Sequence, residues 1–555
     1  MYESLQEYPV KFLSALEKVF PETEPMYRPE CMHLTMLRND LLSFQAAFRG
    51  PNRVQQRLRY RLTSPIRELM RVRVVKTVPV SLACHPLVDD NYLRTTPGMY
   101  PDLLAEPEED GVFLRSGQWQ SLWIDVETGK DTPAGTYPVR LELLDEEGKV
   151  LGGAQTRVEV LNACLPEQKL IHTEWFHTDC LADYYGVEPY SERHWEIIRN
   201  FVKTAVERGV NMILTPVFTP PLDTQVGGER TTVQLVDVFV KDGRYSFGFD
   251  RLKRWVDLCT ECGVRYFEIS HLFTQWGAKA APKVMATADG EYRRIFGWDT
   301  PAVGGEYTRF LASFLPALTA KLRAWGIAER SYFHISDEPG ADELESYLAA
   351  KNSVARFLEG FHMIDALSSY DFYERGAVSK PVPSSDHIAP FIDHRVPGLW
   401  VYYCTAQYLK VSNRFISMPS ARNRIIGVQL FKYDIEGFLH WGYNFYNSQN
   451  SLHKIDPFAT TDCEGAFPAG DPFLVYPGVD GRPLESIRLM VFQQALLDLQ
   501  ALECLASLKG KEYVMQLAEG GLGEPLTFDS YPKSDLYLLA LRDRVNHEIA
   551  AAVRA

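Results

Sequence analysis

Two adjacent carboxylates are the residues best placed to do chemistry. They lie in Ser331-Tyr-Phe-His-Ile-Ser-Asp-Glu-Pro-Gly340, where a short apolar run, residues 332–335, stops at Pro339-Gly340 with Asp337 and Glu338 just before the stop. A helix-like segment, residues 341–358, follows at once. A buried strand that ends in acid groups and turns into a helix is the βα unit of an α/β barrel, whose catalytic groups collect at the C-terminal ends of the strands. Two carboxylates there, one of them a proton donor, are the minimum equipment for glycoside hydrolysis. Side chains alternate on a regular strand, so both acids enter one cleft only if the backbone bends, and Pro339 and Gly340 are suited to that bend. The competing role is helix capping, since a helix N-terminus favours a carboxylate.

Other segments that read as strand ends carry polar and aromatic groups. Thr173-Glu-Trp-Phe-His-Thr-Asp179 offers Trp175 and His177, and Glu268-Ile-Ser-His-Leu-Phe-Thr-Gln-Trp-Gly277 offers His271 and Gln275. Trp400-Val-Tyr-Tyr403 offers Tyr402 and Tyr403, and His440-Trp-Gly-Tyr-Asn-Phe-Tyr446 offers Trp441, Tyr443 and Asn444. Flat rings stack on pyranose faces while His, Asn and Gln hydrogen-bond hydroxyls, the mixture expected of a concave, mostly apolar ligand site. Packing beneath a loop is the competing role for each. His177 with Asp179, or Glu268 with His271, would suit a divalent ion, but the sequence has no compact His-x-x-x-His cluster, so no metal is assigned. Neither a phosphate-cradling glycine loop nor a nucleophile elbow is present.

The elements that must position these groups fall into two patterns. Residues 1–165 show, after a short amphipathic N-terminal helix, strand-like runs at 42–48, Met70–Val80, 119–126, 137–144 and 154–160, separated by turn-rich stretches; this predicts a β-sandwich. From Lys169 strand and helix alternate. Strands are predicted at 170–176, 211–217, 266–270, 332–335, 361–367, 382–387, 399–403 and 437–441, with helices at Glu192–Glu207, 249–262 and 306–325. A hairpin, 231–240 with 245–247, interrupts one loop. About eight such units predict a (β/α)8 TIM-type barrel over 166–510, closed by an amphipathic helix at 484–509, with a helical C-terminal extension over 511–555.

Composition narrows the partners. The chain has 555 residues, 12% aromatic, with a formal net charge of −14. That length requires more than one core. Without a long basic run, nucleic acid and anionic membrane are poor partners, and no run approaches the length of a membrane span. The 9 cysteines are scattered and odd in number, against a disulfide framework, and Cys259-Thr-Glu-Cys262 is a lone pair within a helix. The N-terminus lacks the basic, apolar and cleavage regions of a signal peptide, which points to a cytoplasmic location.

Taken together, the motifs resemble glycoside hydrolase family 123, the β-N-acetylgalactosaminidases. The resemblance rests on Phe333-His-Ile-Ser-Asp-Glu-Pro339, Gly437-Phe-Leu-His-Trp-Gly-Tyr-Asn444, Gly470-Asp-Pro-Phe-Leu-Val-Tyr-Pro-Gly478 and Ser486-Ile-Arg-Leu489, with Trp123-Ile-Asp-Val126 and Pro133-Ala-Gly-Thr-Tyr137 in the N-terminal part. One departure is the helix after Ser486, which reads Met490-Val-Phe-Gln-Gln-Ala-Leu-Leu-Asp-Leu where relatives carry an Arg-Asp-Gly-x-Glu-Asp-Tyr pattern. The resemblance implies a retaining mechanism in which the sugar's own 2-acetamido oxygen attacks the anomeric carbon, with no protein nucleophile and no cofactor. It implies that Asp337 orients the acetamido group, that Glu338 is the acid and base, and that the substrate is a glycan or glycoconjugate ending in β-linked N-acetylgalactosamine. A glycosidase of another sugar preference and a silent carbohydrate-binding protein are the alternatives.

Overall fold

The computed structural model describes residues 8–108 and 111–554. It is a multidomain α/β structure with a β-rich N-terminal region, a nearly closed barrel of eight parallel strands and a helical C-terminus.

The N-terminal region consists of a seven-stranded and a five-stranded sheet. The longer predicted runs form its central strands, Leu41–Arg49, Met70–Val80, Trp119–Glu127, Gly135–Leu144 and Val150–Cys164. Inward residues of both sheets, among them Phe44, Ile124, Leu141 and Val158, merge into one buried cluster. Strands Leu34–Arg38, Gln56–Thr63, Gly98–Ala105 and Gly111–Leu114 escaped the sequence reading. The expected N-terminal helix is also corrected. Residues 1–7 lie outside the described residues, and Val10–Ser14 is a strand antiparallel to Leu41–Arg49, with Phe12 packed edge-on against Phe44. Pro9 disfavours a helix through this point, and sheet pairing then outweighs local amphipathicity.

The barrel strands are β1 (Ile171–Glu174), β2 (Met212–Thr215), β3 (Tyr266–Ile269), β4 (Ser331–Phe333), β5 (His362–Ala366), β6 (Lys380–Val382), β7 (Trp400–Tyr402) and β8 (Gly437–His440). Their order in the sheet is β6-β5-β4-β3-β2-β1-β8-β7. Between β6 and β7 the ring closes only through a bridge from Ser384 to Tyr402. Helices follow most strands, but Asp371–Glu374 and Ala389–Asp393, after β5 and β6, are one turn long. The barrel interior is filled by Ile171, Met212, Leu214, Tyr332, Ile364, Val382, Trp400 and Leu439. Alternate residues such as Ile213, Phe267, Phe333, Val401 and Phe438 face the helices in the main core, as a parallel sheet buried on both faces requires. The predicted hairpin is Asp237–Lys241 with Arg244–Gly248, extended by Val284–Ala288 and Glu291–Phe296 into a four-stranded sheet.

Helix Ile487–Lys509, capped by Ser486, is long and apolar enough to cross a membrane by length and composition alone, contrary to the sequence expectation. Its most apolar window is 72% buried inside the fold, the setting of a core helix. At its start, Arg488 forms a two-pronged pair with Asp102 at 2.9 Å and 2.9 Å, and Tyr476 donates to the same carboxylate at 2.6 Å. Strands Tyr476–Pro477 and Pro483–Ser486 join the N-terminal seven-stranded sheet beside Gly98–Ala105. The C-terminal helix Asp535–Arg554 returns to the N-terminal region, where Arg542 pairs with Asp40 at 2.6 Å. Barrel and N-terminal region are therefore tied together by buried charge as well as by sheet.

Candidate active site

A cavity of about 300 Å³ opens at the C-terminal ends of the barrel strands. Asp337 and Glu338 line it, together with Trp175, Leu222, Asp223, Gln275, Trp276, Tyr402, Trp441, Asn450 and Phe467. The bend that brings both acids inside is not at Pro339-Gly340. Glu338 itself is left-handed, with φ 41°, whereas Gly340 is extended with φ −72° and ψ 161°. Neither acid caps the following helix; Glu343 does so, accepting Gly340 N–H at 3.0 Å.

The phenol of Tyr402 donates to Glu338 Oε1 at 2.5 Å. Burial raises the carboxyl of Glu338 above its ordinary range, the Tyr402 hydrogen bond opposes this, and the charge of Asp386 adds to it. Asp337 is pushed well up by burial first and by the charge of Glu338 second, with the His334 imidazolium pulling the other way. Asp337 is half-buried and Glu338 exposed to the cavity, yet both are raised, so the pair retains a proton at a pH where isolated acids are ionised.

Beneath the pair lies a buried charge network. His334 meets Glu268 through Nε2 at 2.5 Å and Asp365 through Nδ1 at 3.1 Å. Burial alone would lower the imidazole, but its bonds to Asp365 and Glu268 outweigh that and hold it up at about 10. Glu268 also accepts from Thr173 Oγ1 at 2.5 Å and Trp175 Nε1 at 2.7 Å. Asp365 also accepts from the Tyr347 phenol and from Ile335 N–H. His271, His334 and Asp365 present ligand atoms within 4.8 Å of one another. Both His334 nitrogens are already bound to carboxylates, and the His271 ring stacks on His334 at 4.2 Å and 22° instead of converging on a common point. This donor set fits an ion-pair network better than a metal centre.

The sequence candidates divide by position. Trp175, Gln275, Tyr402 and Trp441 line the cavity with the acids. Trp441 is fixed by its indole N–H, which donates to Asp471 at 2.9 Å; burial pushes that carboxyl up to about 7 against the opposing charge of Arg414. Tyr443, Asn444, His177, His271 and Tyr403 do not reach the cavity. Tyr443 donates to Phe201 O at 3.1 Å, and Tyr403 to Asn423 at 3.1 Å. The Asn444 amide clamps the backbone of His177, accepting from its N–H at 2.9 Å and donating to its carbonyl at 3.0 Å. His177 meets Arg230, which also pairs with Asp179, so the His177–Asp179 ligand pair is taken up by a guanidinium. His271 is buried and neutral, drawn well down by burial and by the His334 charge. The Glu268–His271 pair considered as ligands does not form either, because Glu268 bonds His334. Tyr443, Tyr403, Asn444 and His177 face the wall because buried polar atoms must be paired, whereas both ring nitrogens of His271 are buried without a hydrogen-bond partner.

Asp223, Trp276, Asn450 and Phe467 were missed by the sequence reading. Asp223 is left-handed at φ 39° and accepts Asn450 N–H at 2.9 Å; burial raises it to about 6. It lies in an irregular loop with no periodic signal. The Glu268–His334–Asp365 network did leave a signal, since Glu268 and Asp365 interrupt the apolar runs of β3 and β5 and His334 follows directly on β4.

The model of the glycoside hydrolase 123 catalytic domain matches residues 175–505, which include every residue lining the cavity. Comparison with curated proteins gives no significant sequence match. Among solved structures, a family 123 glycoside hydrolase from Clostridium perfringens aligns with a TM-score of 0.74 and 15% identity, over 99% of this chain and 99% of that one. The two share a fold over their whole length. A β-glucuronidase from Parabacteroides merdae aligns over 82% of this chain and 49% of its own, with a TM-score of 0.31 and 12% identity, too distant to bear on the reading. A family model over more than half the chain, centred on the paired acids, leads to one conclusion: the chain belongs to glycoside hydrolase family 123.

Proposed function

We propose that this glycoside hydrolase releases terminal β-linked N-acetylgalactosamine from a glycan or glycoconjugate by a retaining, substrate-assisted mechanism. One observation carries the reading: Asp337 and Glu338 open into a single cavity large enough for one sugar ring and its acetamido group, walled by Trp175, Trp441 and Tyr402. The Clostridium perfringens relative is described as hydrolysing glycolipid glycans, which supports a glycoconjugate substrate here.

Without substrate, the Tyr402 hydrogen bond favours charge on Glu338, while Asp337 is the acid pushed well up. Substrate reverses this. Its acetamido N–H donates to Asp337, and its glycosidic oxygen accepts from Glu338. Glu338 then protonates the leaving oxygen as the acetamido oxygen attacks the anomeric carbon, giving an oxazolinium-like intermediate and a free alcohol. The charge on Asp337 stabilises that cation. Glu338, now a base, takes a proton from water, whose oxygen adds to the anomeric carbon and restores the acetamido group. Two inversions give overall retention. General acid–base help of this kind contributes about 10²- to 10⁴-fold.

The same proposal includes a complete (β/α)8 barrel buttressed by a β-sandwich, with the division near residue 165 and a helical extension from residue 511. It also includes a reducing, cytoplasmic setting, which the eight described cysteines, all free, support. The test is hydrolysis of chromogenic β-N-acetylgalactosaminide and β-N-acetylglucosaminide by wild type, Asp337→Asn and Glu338→Gln. Release from the galacto substrate, abolished in both variants, supports the reading. Release only from sugars lacking the 2-acetamido group overturns the assisted mechanism, and binding without turnover would favour a silent carbohydrate-binding protein.

A further inference from the structure

We infer that Trp276 is the platform on which the leaving-group sugar stacks, the specificity-determining residue for what lies beyond the hydrolysed bond. The inference rests on the proposed roles of Asp337 and Glu338. Trp276 lines the catalytic cavity yet remains 43% exposed, an indole at its rim. The other two tryptophans of the cavity are walls, each tied by its indole N–H to a buried carboxylate, Trp175 to Glu268 and Trp441 to Asp471.

The backbone that presents this indole is unusual. Trp276, Gly277 and Ala278 are left-handed in succession, with φ of 59°, 96° and 54°. Bulky residues rarely adopt that conformation, and it persists only where surrounding contacts enforce it. Here they do. Trp276 N–H donates to the carbonyl of Asp337 at 3.0 Å. Ser346 Oγ donates to Gly277 O at 2.7 Å, and Lys279 pairs with Glu343 at 2.7 Å. Glu343 is the residue that caps Gly340, directly after the two acids. A side chain at position 277 would overlap Glu343, so the loop closes tightly on that cap. The ring is therefore held to the turn carrying Asp337 and Glu338.

That attachment identifies what the ring meets. Glu338 delivers its proton to the glycosidic oxygen, so the departing sugar begins beside Glu338, in the cavity that Trp276 also lines and next to the turn its backbone is bonded to. A pyranose presents an apolar C–H face, and an indole offers a large, rigid apolar surface at low entropic cost. An exposed indole locked in a rare backbone conformation gains nothing from water, whereas a stacked sugar covers it.

The test compares two substrates in wild type, Trp276→Ala and Trp276→Phe. One is a disaccharide with terminal β-N-acetylgalactosamine on a second pyranose. The other is β-N-acetylgalactosaminyl fluoride, whose leaving group places nothing on the ring. We expect Trp276→Ala to lose about tenfold to a hundredfold in kcat/KM on the disaccharide, to stay within about twofold of wild type on the fluoride, which also verifies folding, and Trp276→Phe to recover part of the loss. Equal losses on both substrates, or no loss on the disaccharide, would overturn the platform while leaving the proposed function intact. A wild type inactive on both substrates would instead overturn the proposed function, and this inference with it.

Discussion

Tyr402 Oη lies 2.5 Å from Glu338 Oε1, joining the end of β7 to the turn that follows β4. The bond crosses the cavity mouth and acts on the acid: a phenol donor stabilises the carboxylate and opposes the upward push of burial. Tyr402→Phe removes the donor and leaves the ring. Glu338 should then titrate higher, and the alkaline limb of the kcat profile, where the acid loses its proton, should move to higher pH. We expect kcat to fall by about tenfold to a hundredfold, the worth of one hydrogen bond to a charged group. Steady-state kinetics across pH on a chromogenic substrate reads both, and an unmoved limb contradicts the assignment.

The two acids should also weaken the fold above acidic pH. Both titrate higher in the folded protein than in the unfolded chain. Their protonation therefore supports the fold at low pH, and that support is lost as pH rises through their folded values. Asp337→Asn and Glu338→Gln should each melt higher than wild type at pH 8, with the gap closing toward pH 4, while activity falls by about 10²- to 10⁴-fold. Calorimetry at the two pH values decides it, and a lower melting temperature at pH 8 would count against the raised pair.

His334 shows the same sign of dependence over a higher pH window. Held at about 10 in the folded state, against 6.5 as the reference value, it stabilises the fold fully below 6.5 and progressively less as pH rises toward 10. His334→Leu leaves Glu268 and Asp365 facing each other without a cation, which we expect to cost about 3–5 kcal/mol. Denaturant titration at pH 7 measures that loss, and the deficit relative to wild type should shrink near pH 10.

Gly437 stands opposite Trp400 in the β7–β8 pairing, and a Cβ there would overlap the indole. Gly437→Ala should destabilise by about 1–3 kcal/mol through overpacking. Because β8 leads directly to Trp441, KM should rise as well. Thermal melting with parallel kinetics tests this, and a neutral result would mean that the Trp400 indole is free to move.

Much of this protein was legible in its residue order. The alternation of short apolar runs with amphipathic segments located seven of the eight barrel strands, since a strand buried on both faces must be apolar throughout; the sixth, expected at 382–387, is Lys380–Val382 and shares only Val382 with that run. The helix Glu192–Glu207 was found at its observed bounds, and Asp337-Glu338 at the end of a buried run marked the chemistry. Tertiary structure decided the rest. Local pattern cannot show that Val10–Ser14 gains more as an edge strand than as a helix, nor that strands at 476–486 complete an N-terminal sheet nearly 400 residues earlier in the chain, because both depend on distant hydrogen-bonding partners. The choice among polar residues was likewise tertiary: Asn444 and His177 satisfy each other within the wall, while Asp223, Trp276 and Asn450 come from irregular loops whose conformation is set by contacts across the barrel mouth. Residue type states what a side chain can do, but only the nearly closed ring of strands determines which side chains share one cavity.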